Sequence, residues 1–86
     1  IGTDGSWAQI AREQVPMMGT DIGTVLNRTP YHEVGQGYGA VGLLLDDPAK
    51  IDATLDEAKA LAAAGKPVVI NVLISSTDFR KGSISV

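Results

Sequence analysis

A chain of 86 residues has room for one small domain, and its 7 Lys and Arg against 10 Asp and Glu leave a formal net charge of −3. That balance excludes a protein that lives on nucleic-acid phosphates, which needs a basic face. With 44 % hydrophobic and 20 % charged residues the chain is a packed domain rather than a disordered one, and with no Cys it can hold neither disulfides nor cysteine-ligated zinc nor a catalytic thiol.

Ile1-Gly2 reads as the end of a buried strand, so the chain is expected to be a piece of a longer polypeptide. Thr3-Asp4-Gly5-Ser6-Trp7 follows, at the carboxyl end of that strand, where open α/β sheets gather their chemistry. Asp4 offers a hard carboxylate oxygen, and Gly5 allows backbone carbonyls to turn toward the same ion, a combination suited to Mg²⁺. The same residues equally make a helix-entry turn capped by Asp4 or Ser6. Ser6 to Gln14 predicts a short helix, and Val15 to Arg28, with Pro16, Gly19 and Gly23, predicts a weakly structured loop that is functional or mobile.

Thr29-Pro30 opens a short helix over residues 30–38, with Tyr31, Val34 and Tyr38 on one face and with Gly35 and Gly37 allowing close backbone approach. His32, the only histidine, has no carboxylate at a spacing that would orient it, and it is read as a partly exposed or packing residue. Gly35-Gln36-Gly37-Tyr38-Gly39-Ala40 superficially matches a dinucleotide fingerprint, but its glycines end a helix and feed a strand, the reverse of the required order. Gly65-Lys66 lacks the upstream glycine of a P-loop and sits at a helix end that repels phosphate.

Val41 to Leu45 and Val68 to Ile74 are apolar without alternation, as in strands covered on both faces. Between them lies the clearest helix, entered through Asp47 as cap and Pro48 as first residue. Ile51, Leu55, Ala58 and Leu61/Ala62 form its apolar stripe, and Gly65 and Pro67 end it. Its acidic residues are a solvated face, and Asp46 and Asp47 lack the converging oxygens of a metal site. Strand, helix, strand makes one right-handed βαβ unit. Two visible strands are too few for a sheet that normally has about five or six, so further strands are expected from outside the chain. Residues 75–86 form a polar tail anchored only by Phe79 and Ile84.

Four segments in order resemble the thiamine-diphosphate-dependent enzymes of the acetolactate-synthase type: Ile1 to Gln9, Tyr31 to Gly42, Gly65 to Val72, and Thr77 to Ile84. The last is similar to the tail of an acetolactate-synthase-like or 2-hydroxyacyl-CoA-lyase-like branch. The resemblance spans residues 1–86 and implies the C-terminal fragment of a parallel-sheet, helix-covered thiamine-diphosphate-binding domain, tail included. It puts Asp4 where the family's second Asn gives a side-chain oxygen to Mg²⁺, Ser6 where a backbone carbonyl gives another, and Gly5 and Trp7 beside the cofactor's diphosphate. Thr3-Asp4 departs from the family's Asn-Asn, keeping an oxygen ligand while adding a negative charge.

The loop around Val15 to Leu26 resembles a mobile segment near the active-site mouth, which would allow Met17 and Met18 to contact substrate, but core or loop packing is the preferred reading for both. The resemblance further implies thiamine diphosphate and Mg²⁺ as cofactors and the rest of the parent enzyme as partner. That remainder would carry a GDG segment and an activating glutamate on a separate domain across a dimer interface, hence a homo-oligomer. No catalytic residue falls within the chain, which alone is expected to be inactive. The leading functional expectation is a carboligase or lyase acting on 2-keto acids. The alternatives are an enzyme of the 2-hydroxyacyl-CoA lyase or oxalyl-CoA decarboxylase type, with Arg80-Lys81 too little to decide for CoA, and a non-catalytic module with a decayed cofactor site. Neither nucleic acid nor membrane is expected as a partner, and a cytoplasmic location follows from the absence of Cys and of a visible leader.

Overall fold

A computed structural model describes residues 1–75. The readings that rest on Thr77 to Ile84, including Phe79, Arg80 and Lys81, lie outside the described residues. The chain divides into two compact units, one of Ile1–Thr3 with Thr29–Ile74, the other built on Asp4–Arg28.

The first unit is a parallel sheet of three strands in the order β1-β3-β2, with β1 at Gly2–Thr3, β2 at Val41–Leu45 and β3 at Val68–Leu73. The strand end read at Ile1-Gly2 is present and pairs along β3, with Gly2 opposite Val72 and Thr3 opposite Leu73. On the other side of β3, Val41 to Leu45 run in unbroken register from Val68 to Val72. Both strands are mostly apolar, and β3 is rich in β-branched Val and Ile, which suits a strand covered on both faces.

The helix α2 at Tyr31–Gly37 packs on β2 and β3. It seats there because glycines lie on both sides of the contact. A side chain on Gly42 would collide with the backbone carbonyl of His32, and one on Gly35 would come within 2.8 Å of a Val69 methyl. Gly37, expected to share this role, has nothing near it. Tyr31, Val34 and Tyr38 do share a face, but it is exposed, with Tyr38 at 90 %. His32 and Gly35 turn inward instead.

Asp47 caps a single 3₁₀ turn, Pro48–Lys50, by accepting the Ala49 N–H at 3.0 Å, and the helix α3 at Ile51–Ala63 continues from it. Gly65 ends the helix region with φ +83°, in the left-handed region where a Cβ is penalised. The partly buried positions of α3 are Thr54, Ala58 and Leu61, whereas Ile51 and Leu55 of the expected stripe are about 40 % exposed. Ile51 lines an apolar depression of about 200 Å³ with Leu45, Pro48 and Val72.

In the second unit the helix α1 at Ala8–Met18 runs longer than expected, continuing through Pro16 for a last turn. Gly19 then stops it at φ +70°, donating its N–H to the Val15 carbonyl at 2.8 Å. A proline inside a helix costs one hydrogen bond and clashes with the carbonyl four residues back, so the sequence pattern favours a break there.

Gly42→Ala in the whole protein is expected to cost more than about 3 kcal/mol by overpacking against backbone, whereas Gly37→Ala is neutral or stabilising by up to about 1 kcal/mol. Paired thermal melts of the two variants check this.

Candidate functional site

Asp4 to Trp7 form a turn stitched to the segment that follows α1. The Asp4 carboxylate accepts the Ser6 N–H at 3.0 Å, closing the turn over Gly5, whose φ is +74°. The Gly5 carbonyl accepts the Leu26 N–H at 2.7 Å, and the Trp7 N–H donates to the Thr24 carbonyl at 2.7 Å. Ser6 thereby forms an antiparallel bridge with Val25.

The same bonds correct the expectation of a weakly structured loop over Val15 to Arg28. Thr24 is buried and its hydroxyl donates to the Asp21 carbonyl at 2.5 Å. Gln14 donates to the carbonyls of Thr20 and Ile22 at 3.0 Å each. A side-chain amide that satisfies two loop carbonyls replaces the ladder bonds the segment lacks. Nothing in the residue types at these positions points to that bracing, since Gln14 reads as an ordinary exposed helix residue.

The turn leaves hard oxygen on offer. One carboxylate oxygen of Asp4 is committed to Ser6 and a second remains beside it, while the Ser6 carbonyl takes part in none of the bonds of the bridge. Both residues are partly accessible, and the space where a Gly5 Cβ would stand is taken by Arg28 and the Leu26 carbonyl. A carboxylate and a carbonyl are the oxygen donors that Mg²⁺ prefers, and two of them suit an ion that takes its remaining oxygens from phosphate and water. The residues present therefore fit the metal that the resemblance implies. No cluster of three or more acidic, His or Cys side chains exists among the described residues. Arg28, which the sequence reading passed over, lies along the turn, with its Cγ 3.3 Å and its Nε 3.8 Å from where a Gly5 Cβ would stand. Trp7 is 59 % exposed. Met17 and Met18 are 81 % and 66 % exposed.

A second polar group lies in the first unit, and sequence reasoning missed it. Asn71 in β3 is only 1 % exposed. Its Oδ1 accepts the Thr3 hydroxyl at 2.5 Å, and its Nδ2 faces His32 Nδ1 at 3.3 Å. An amide NH₂ can only donate, so Nδ1 is the acceptor, and the proton of a neutral imidazole sits on Nε2. The expectation that His32 is partly buried holds, but its orienting partner is an amide rather than a carboxylate. The available signal was Asn71 itself, a polar residue in an otherwise apolar strand.

A parallel sheet with helices packed against it defines an α/β segment. The chain is 47 % identical over 88 aligned positions to 2-hydroxyacyl-CoA lyase 2 of Mus musculus, and 44 % identical to the proteins of that name from Danio rerio and Homo sapiens. All of the chain is matched in each case, but it spans only 14 % of the length of each relative. No family model and no solved structure matches. At that identity over its whole length, the chain belongs to the 2-hydroxyacyl-CoA-lyase-like branch of the thiamine-diphosphate-dependent enzymes. The relatives' names side with the acyl-CoA lyase alternative and not with the acetolactate-type reading placed first. No helix among the described residues is long and apolar enough to cross a membrane.

Asn71→Ala would strand the buried Thr3 hydroxyl and the His32 ring nitrogen. We expect a loss of about 2–4 kcal/mol, measured by chemical denaturation of the whole protein.

Proposed function

We propose that the chain is the metal- and diphosphate-contacting segment of a lyase that acts on 2-hydroxyacyl-CoA thioesters. The observation that carries this reading is the 47 % identity, over all of the chain, to a protein named for that activity. The cofactors are thiamine diphosphate and Mg²⁺, of which the thiamine ring supplies an electron sink for breaking a carbon–carbon bond.

The residues of the chain bind and orient. The Asp4 carboxylate and the Ser6 carbonyl would hold Mg²⁺, with the Gly5 backbone and Trp7 beside the diphosphate. The Asp4–Ser6 hydrogen bond at 3.0 Å supports this assignment, because it aims the carboxylate before any ion arrives. The Arg28 side chain along the same turn supplies a positive charge against the one Asp4 adds where the family has Asn. The activating glutamate and the substrate pocket belong to other parts of the parent protein, which is a cytoplasmic homo-oligomer. The 86-residue chain alone is inactive.

In the whole protein, Asp4→Ala should abolish Mg²⁺-dependent thiamine-diphosphate binding, and Asp4→Asn should keep it, since the amide oxygen can ligate and still accept the Ser6 N–H. Calorimetric titration of cofactor at fixed Mg²⁺ checks this. In turnover assays, 2-hydroxyacyl-CoA esters should be cleaved and pyruvate should not be condensed. Condensation of pyruvate with no cleavage of the thioester would return the acetolactate-type reading to first place.

A further inference from the structure

We propose that Gln14 and Thr24 are positioning residues for the metal, which brace the segment that clasps the Asp4 to Trp7 turn and so set the direction of the Ser6 carbonyl. All of these residues lie in the unit built on Asp4–Arg28. The proposal rests on the reading of Asp4 and Ser6 as Mg²⁺ ligands.

Two backbone bonds clasp the turn, one on either side of Ser6. The Trp7 N–H donates to the Thr24 carbonyl and the Leu26 N–H to the Gly5 carbonyl, each at 2.7 Å. Between them Ser6 and Val25 stand opposite each other as a pair that exchanges no bonds of its own. In an antiparallel pair of that kind, the N–H and C=O of the central residue point away from the partner segment. The Ser6 N–H does so, donating to the Asp4 carboxylate at 3.0 Å. By the same pattern the Ser6 carbonyl is turned to the side where that carboxylate lies. The clasp therefore decides whether the two oxygens converge.

No longer ladder supports the clasp, since Ser6 with Val25 is an isolated bridge. Side chains do it instead. Thr24 is 2 % exposed, and its hydroxyl donates to the Asp21 carbonyl at 2.5 Å, beside its own N–H, which donates to the same carbonyl at 2.9 Å. A Val there would bury more apolar area, whereas a buried hydroxyl only about recovers its desolvation cost through its hydrogen bond. Such a group adds little stability and much orientation. The turn it closes fixes the backbone of Thr24, and with it the carbonyl that receives the Trp7 N–H. Gln14 ties the start of that turn to α1, its Nε2 donating to the carbonyls of Thr20 and Ile22 at 3.0 Å each. Residues that orient a metal ligand typically matter about 10–100-fold in metal affinity when removed.

The test measures, in the whole protein, the Mg²⁺ concentration that half-saturates thiamine-diphosphate binding. Thr24→Val keeps the shape and removes the donor, and should raise that concentration about tenfold. Thr24→Ser restores the hydroxyl and should return it to the parent value, even where the lost methyl lowers the melting temperature. Gln14→Met keeps the length of a partly accessible side chain and removes both its donors. It acts one step further from the turn and should raise the concentration about threefold. Unchanged Mg²⁺ dependence in Thr24→Val, with only a lowered melting temperature, would make the brace purely structural and overturn the proposal. Should Thr24→Val not fold, an unchanged value in Gln14→Met overturns it equally. Asp4→Ala tests the ligand reading by itself. Parental Mg²⁺ dependence in that variant means that the ligand reading has failed, and the proposal with it. Lost binding in Asp4→Ala beside unchanged values in Thr24→Val and Gln14→Met overturns the proposal alone and leaves Asp4 a ligand.

Discussion

The first unit depends on how closely α2 can approach the sheet. Gly42 and Gly35 carry no side chains, and a Cβ at Gly42 would run into the His32 carbonyl. With both glycines in place, α2 settles low enough for the His32 ring to reach the amide of Asn71, and Asn71 in turn reaches Thr3. A bulkier residue at position 42 would lift the helix by more than the 3.3 Å contact between His32 and Asn71 can absorb. The close packing and the polar bonds are therefore one device.

Much of this was legible from residue types. β2 falls on Val41 to Leu45 as expected, and β3 stops one residue short of Ile74, because apolar β-branched runs between turn residues leave few alternatives. The Asp47-Pro48 entry and the Gly65 exit of the α3 region also match, since caps act within a few residues and need no tertiary information. What escaped was decided at longer range. Whether Gly35, Gly37 or Gly42 meets a neighbour depends on which face α2 presents, and the pattern of Tyr31, Val34 and Tyr38 suggested the opposite face. The persistence of α1 beyond Pro16 runs against local preference. The bond between Thr3 and Asn71 joins residues 68 positions apart, which no local pattern encodes.

The site was legible to a different degree. The Asp4-Gly5-Ser6 turn attracted attention by its position after a strand, and the observed bond from Ser6 N–H to the carboxylate is the one a capping reading would also require. Capping and metal ligation are compatible here, since the carboxylate has two oxygens and the turn uses one. The glycine-rich stretch Gly35 to Ala40 lies at the end of α2 and feeds β2, so it serves packing and not phosphate. Arg28 could not have been foreseen, because it is the pairing of Leu26 with Gly5 that brings the segment alongside the turn.

The proposed metal site is a carboxylate and a carbonyl two residues apart, on Asp4 and Ser6. A crystal structure of the whole protein with thiamine diphosphate and Mg²⁺ tests it most directly. The expected result is a bound ion with the Asp4 carboxylate and the Ser6 carbonyl each at about 2.0–2.1 Å, the other oxygens coming from the diphosphate, water and residues outside this chain. An ion bound to the diphosphate but held by other residues, with Asp4 serving only to cap its turn, would contradict it.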